Sequence, residues 1–213
     1  MNNIETNGDK TAIYPIQTCF NDISQKSIDT CIKIAKLNAI NKQLNCNCMQ
    51  CAIGNNSISK CISNGSYEAS TIIVDAFPSE YETFTGAMTD EKGYLLTEVL
   101  QDKRQDIYCT TLLKCHIFKN ADEHLIKECL DNYFKKEIEL IQPKKTILTF
   151  SAFQACLKYQ IIESVGAVNY FTKIKSKVYN YETDVYVIYD FNNLSEQQRQ
   201  AFKQGFNIIL GCC

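Results

Sequence analysis

Short apolar segments and helical patterns alternate along the chain, and this alternation most constrains its fold. The apolar segments lie at 71–74, 106–113, 146–150 and 184–189, and each carries the β-branched or aromatic residues of a strand. Helical spacing begins near Ser27 and returns at 94–101, 122–141, 152–162 and 194–210, where Ser195 is the expected cap. Strands that alternate with helices form parallel sheets covered on both faces. The sequence therefore predicts an α/β three-layer sandwich with a central, mostly parallel four-stranded sheet.

The length of 213 residues fits one such domain with a short extension. Residues 1–20 are polar and irregular, so we expect an N-terminal arm and helix over 1–45 and the main domain over 46–213. The apolar runs are too short to span a bilayer, and the N-terminus lacks the basic and apolar pattern of a secretory signal. The expectation is an intracellular protein, cytoplasmic in a prokaryotic or viral setting, without a membrane partner.

Twelve cysteines in a chain without a visible signal indicate a reducing compartment with metal-bound or buried thiols. Cys48 and Cys51 form a CxxC, while Cys115 and Cys129 bracket the loop after the second strand. Four thiolates suit a tetrahedral zinc ion or an iron–sulfur cluster. The spacing leaves both metals open, and buried structural cysteines are the third reading.

Several motifs occur in a fixed order between residues 46 and 210. After the CxxC come the strand TIIV, the loop DAFPS at 75–79 and the stretch GAMTDEKGYLL at 86–96. YCTTLLKC at 108–115 and IYDFNNL at 188–194 follow. This order resembles the family 4 uracil-DNA glycosylases, iron–sulfur enzymes of the uracil-DNA glycosylase superfamily. Their corresponding motifs are GEAPG, GxPFVGxAGxLL, YITNxVKC and TYHPxxLL.

The resemblance implies a uracil-DNA glycosylase-like fold and a [4Fe–4S] cluster held by Cys48, Cys51, Cys115 and Cys129, with zinc as the alternative cofactor. It also implies substrate-binding positions at Ala76, Phe77, Pro78, Thr111, Tyr189 and Asn192. Lys114 and His116 become candidates for the DNA backbone. Net charge of −2 argues against avid non-specific DNA binding, which depends on a basic excess.

The catalytic positions of the motifs are altered in this chain. Ala76 stands at the acidic position, Thr111 replaces the asparagine that reads the uracil edge, and Asp190 replaces the histidine of the last motif. An alanine cannot position water, and an aspartate would repel the charge that grows on a departing base. We therefore expect loss or strong reduction of glycosylase activity.

Three functional hypotheses follow from these residues. The first is a DNA-binding iron–sulfur protein with a repair or replication accessory role and a possible protein partner. The second is an active glycosylase that excises uracil or another damaged base, with Asp75 and Asp190 as the catalytic candidates. Glu80 and Glu82 offer further carboxylates near the same loop. The third is an unrelated zinc or thiol domain.

Overall fold

The computed structural model describes residues 25–47, 60–116, 122–163, 166–192 and 194–211. The strands are β1 (Asn64–Gly65), β2 (Thr71–Asp75), β3 (Ile107–Thr111), β4 (Lys145–Thr149), β5 (Lys173–Val178) and β6 (Tyr181–Ile188). The helices are α1 (Gln25–Asn47), α2 (Glu82–Thr85), α3 (Glu91–Leu100), α4 (Glu123–Cys129), α5 (Lys135–Ile141), α6 (Phe150–Lys158) and α7 (Glu196–Leu210). A 3-10 turn (Gln101–Asp106) follows α3, and a π-helical turn (Leu130–Phe134) joins α4 to α5.

The strands form one six-stranded sheet in the order β1-β3-β2-β4-β6-β5. Its centre is parallel, since β2 pairs with β3 and β4 and β4 pairs with β6 in that sense. The edge strands β1 and β5 pair antiparallel with β3 and β6. The predicted α/β class and four central strands are confirmed, and the two edge strands are additions to the prediction.

Apolar side chains cover both faces of the sheet, as the strand pattern requires. Alternate residues of β2 divide between the faces: Ile72 and Val74 join one core and Ile73 the other. Helices α1, α5 and α6 contribute to the first core, and α3 and α7 to the second. The result is the expected arrangement of a sheet between two helical layers.

Helix α1 is an integral part of the first core. Its residues Leu37, Ile40 and Leu44 are buried in the same apolar cluster as the sheet and α5. Lys33 Nζ also donates to the carbonyl oxygen of Ile141 at 3.4 Å. The helical part of the predicted arm therefore packs against the sheet as part of the first core. Residues 1–24 lie outside the described residues.

Helix α7 begins where its sequence predicts. Ser195 Oγ accepts from the backbone N–H of Gln198, and the Gln198 side chain accepts from Ser195 N–H, which completes a capping box. Its buried face consists of Phe202, Phe206 and Ile209 together with Gly205. Among the described residues, no helix has the length and apolar character needed to cross a membrane.

Candidate active site

The carboxyl ends of the four parallel strands meet along one edge of the sheet, where α/β proteins bind their ligands. In the register, Asp75 lies opposite Thr111, and Thr149 lies opposite Ile188. The backbone N–H of Leu112 donates to the Asp75 carbonyl oxygen at 2.8 Å, which joins the loops after β2 and β3. The fold thus brings the motifs DAFPS, YCTTLLKC and IYDFNNL to the same edge of the sheet.

Asp75 ends β2 with its carboxylate held by several donors. Oδ1 accepts from Ala76 N–H at 2.8 Å and from the Thr149 hydroxyl at 3.0 Å. Oδ2 accepts from Lys92 Nζ at 2.7 Å. The side chain keeps 12 % of its surface exposed, so this carboxylate is nearly buried and fixed in direction.

Lys92 joins Asp75 to a second buried carboxylate. Its Nζ lies 2.8 Å from Glu82 Oε2, and Glu82 also accepts from the backbone N–H groups of Ser79 and Met88. Desolvation lowers the pKa of Lys92, but Asp75 and Glu82 outweigh it and raise that pKa above its ordinary value. Lys92 is not among the site residues that the sequence predicts, although it stands in the 86–96 stretch where the resembled motif has alanine.

The Asp190 carboxylate is hydrogen-bonded to the first turn of α6. Its Oδ1 accepts from Ser151 N–H at 2.9 Å, and its Oδ2 accepts from Ser151 Oγ at 2.8 Å. A carboxylate at a helix N-terminus satisfies a backbone donor that the helix leaves unpaired. Asp190 therefore has a structural task at the site.

Thr111 is completely buried at the end of β3, and its Oγ1 has no hydrogen-bond partner within the described part of the chain. The thiol of Cys61 lies beside it, and burial raises the pKa of that thiol to about 12. Ala76 is also buried. Neither of these expected substrate-binding side chains reaches the surface in this conformation.

The remaining residues of the first loop divide between surface and interior. Phe77 is exposed, while Pro78 is buried and its carbonyl oxygen lies 3.1 Å from His116 Nδ1. His116 itself is exposed, as a contact with DNA phosphate would require. Of the last motif, Tyr189 is half-buried and Asn192 is exposed.

Lys114 does not occupy the surface position expected for a DNA-backbone contact. It is 1 % exposed, and its Nζ forms a salt bridge with Glu137 at 2.8 Å. Thr110 and Tyr108 donate hydroxyl hydrogens to the same carboxylate, and Ser63 contacts both Glu137 and Lys114. The Lys114 ammonium group thus has all its partners inside the protein, and it cannot reach a phosphate on the surface.

Two of the four predicted metal ligands lie within the described structure. Cys115 is buried in the first core, and Cys129 packs against that core as a half-buried residue. Cys48 and Cys51 lie outside the described residues. Over the described ranges alone, no group of three or more possible metal-ligating side chains is found.

An open groove of about 470 Å³ lies at the opposite end of the sheet, near the start of β6. It is lined by three lysines, three carboxylates and two hydroxyl residues: Lys144, Lys175, Lys177, Glu163, Glu182, Asp184, Ser176 and Thr183. Because the opposite charges balance, the groove does not select an anion or a cation.

A parallel sheet with its polar loops gathered at the carboxyl edge defines an α/β protein with a ligand site at that edge. Residues 62–210 match the sequence model of the Uracil DNA glycosylase superfamily. The match covers most of the chain, which therefore belongs to this superfamily. A search of curated proteins found no match.

Proposed function

We propose that this superfamily member binds DNA, carries an iron–sulfur cluster and has lost or strongly reduced uracil excision. The proposed role is that of an accessory protein in repair or replication. The observation that carries the loss of excision is the engagement of Asp190 by Ser151, together with the burial of Thr111 and Ala76.

Uracil excision needs a group that activates water and donors that stabilise the departing base. In the motifs that this chain resembles, these tasks fall on the positions of Ala76, Thr111 and Asp190. Ala76 has no polar side chain, and Thr111 is covered. Both carboxyl oxygens of Asp190 already accept hydrogen bonds from Ser151. Each missing contact of this kind costs about a hundredfold to a thousandfold in rate.

The chain around the cysteines is consistent with a shared site for the proposed cluster. Leu44, near the end of α1 and four residues before Cys48, lies in the same core as Cys115. On the other side of the CxxC, the backbone N–H of Cys61 donates to the carbonyl oxygen of Lys114 at 2.7 Å. Cys61 is thus hydrogen-bonded to the residue before Cys115, and α1 packs in the same core as Cys115. Cys48, Cys51, Cys115 and Cys129 would hold a [4Fe–4S] cluster, whose contribution here is structural.

One metal analysis separates the cofactor proposals. Protein purified without oxygen should be brown, absorb near ~400 nm and contain about four irons per chain. Colourless protein with one zinc ion would support the zinc alternative and refute the cluster. Cys129→Ser should lower the iron content, whereas Cys109→Ser, which changes a buried thiol of the second core and not of the core that holds Cys115, should leave it unchanged.

Excision is tested with a uracil-containing single-stranded oligonucleotide under single-turnover conditions. We expect DNA binding without release of uracil above the uncatalysed background. Efficient release by the cluster-loaded protein would refute the proposed loss of activity. Failure to bind DNA of any form would refute the DNA-binding part.

The geometry of Asp75 favours a second candidate, an active glycosylase with rearranged chemistry. This carboxylate lies at the carboxyl edge of the sheet and is oriented by Thr149 and Lys92, as a general base must be. In that case Asp75→Asn abolishes release of uracil or of another damaged base. Glu80→Gln, which changes an exposed carboxylate of the same loop, leaves the rate unchanged. Equal rates for both variants would exclude Asp75 as the base.

A further inference from the structure

Three aromatic side chains converge beside the candidate site: Phe150, Tyr170 and Tyr189, here called the aromatic cluster. Phe150 follows β4 directly, Tyr189 follows β6 directly, and these two strands are parallel neighbours. Tyr170 lies in the connection that precedes β5. Its ring centroid is 4.1 Å from that of Tyr189 and 5.9 Å from that of Phe150.

The aromatic cluster presents its rings to solvent on a rigid support. Phe150 is 37 % exposed and Tyr170 is 39 % exposed. Beneath them, Tyr189 contacts Phe171 edge to face, and Phe171 contacts the fully buried Phe202 of α7. The backbone N–H of Phe171 also donates to the Val187 carbonyl oxygen at 2.8 Å. The exposed rings are therefore fixed to the core of the domain.

Two exposed asparagines lie close in sequence to residues of the aromatic cluster. Asn169 directly precedes Tyr170 and Asn192 follows Tyr189 by three residues; both are exposed, and both can donate and accept hydrogen bonds. The nearby Asp190 carboxylate is already engaged by Ser151. Flat exposed rings with exposed amide groups close to them in sequence fit a ligand that has a π face and polar edges. A nucleobase has both features.

We propose that the aromatic cluster is a stacking platform for unpaired bases, so that the protein prefers single-stranded DNA to duplex DNA. This inference rests on the proposed DNA binding and deepens it by naming the form of the DNA. Lys114 is buried and the chain carries a net charge of −2, so stacking contributes more to binding than phosphate neutralisation. A paired base would first have to leave its stack, which disfavours the duplex.

The test is a titration of the 213-residue protein as purified with labelled oligo-dT of about 16 nucleotides. A duplex of the same length is the comparison. Tyr170→Ala and Phe150→Ala should each weaken single-strand binding by about 5- to 150-fold. Tyr170→Phe, which keeps the ring, should restore it. Tyr94→Ala is the matched control, since Tyr94 is a 78 % exposed aromatic residue on α3.

Two further measurements report on stacking itself. The chain has twelve tyrosines and no tryptophan, so tyrosine emission can be followed directly. Oligo-dT should quench it less in Tyr170→Phe than in the parent protein. The logarithm of the binding constant should fall with the logarithm of salt concentration with a slope shallower than about −2, the value for three phosphate contacts.

The outcomes separate the two proposals. Tighter single-strand binding that depends on Tyr170 and Phe150, and not on Tyr94, supports the platform. Equal affinity for duplex and single strand, or full affinity in Tyr170→Ala and Phe150→Ala, overturns the platform while the DNA-binding function stands. Absence of binding to either form overturns both proposals.

Discussion

The buried Lys114–Glu137 pair provides a quantitative test of how the interior of this protein is held together. Both side chains are 1 % exposed, and the Lys114 ammonium lies 2.8 Å from one carboxylate oxygen and 3.0 Å from the other. Removal of one member of such a pair leaves an uncompensated buried charge and costs about 3–5 kcal/mol. The hydroxyls of Tyr108 and Thr110 remain near the Glu137 carboxylate, so the lower end of this range applies.

We expect Lys114→Met and Glu137→Gln each to lower the free energy of unfolding by about 3 kcal/mol. The double variant should cost about 3 kcal/mol instead of the additive ~6, because it removes both charges and leaves an amide that the hydroxyls can satisfy. For a chain of this size, each single variant should melt about 6–12 °C lower than the parent. The coupling energy is thus about 3 kcal/mol.

The measurement is urea unfolding at neutral pH, followed by far-ultraviolet circular dichroism, with the four proteins of the double-mutant cycle side by side. Equal slopes against urea would show that the variants change stability and not compactness. Additive losses, or single variants that lose less than about 1 kcal/mol, would show that the charges do not stabilise each other and would refute the reasoning.

Three smaller changes test other parts of the fold. Ser195→Ala should remove the α7 capping box and cost about 1 kcal/mol in urea unfolding; an unchanged midpoint would contradict the role of the cap. Gly65→Ala should lower the free energy of unfolding by more than about 1 kcal/mol, because φ is 114° at this position and a Cβ would collide with the Ile107 carbonyl oxygen. Gly166→Ala should leave the free energy of unfolding unchanged, because a Cβ there would contact no other atom of the described residues. Burial raises the pKa of Cys109 from 9.0 to about 11 in the folded protein. The unfolded chain therefore loses the thiol proton at lower pH than the folded protein does, and the free energy of unfolding falls as pH rises from 9.0 to about 11. Cys109→Ala should flatten that fall, and an unchanged slope would count against the burial of the thiol as its cause.

The sequence predicts the centre of the sheet because the buried strands are continuous apolar runs. The sequence does not predict the edge strand β5, because its segment KIKSKV alternates lysine with small or apolar residues. Such lysines are typical of an exposed edge, and hydrophobicity alone does not distinguish them from a loop. The helix predicted at 122–141 is interrupted by the π-helical turn at Leu130–Phe134, for which the periodicity gives no signal.

The sequence locates the candidate site through motif order but does not give its internal contacts. Thr111 and Asp190 are predicted because they stand at altered motif positions, and Asp75 because it is a carboxylate on a loop at the ligand edge of the sheet. The partners of Asp75 and Asp190, which are Lys92 and Ser151, lie 17 and 39 residues away along the chain. Only the packing of α3 and α6 against the sheet brings them together. Long-range polar contacts of this kind depend on tertiary structure and cannot be predicted from local spacing.

The two hydrogen bonds between Asp190 and Ser151 also limit how this position can change. A histidine at position 190, as in the motif that this segment resembles, could not accept both the Ser151 N–H and the Ser151 hydroxyl. Hydrogen bonds to charged groups are worth about 1.5–3 kcal/mol, so the first turn of α6 would lose stability. Replacing Asp190 by histidine would therefore need a compensating change that stabilises the first turn of α6.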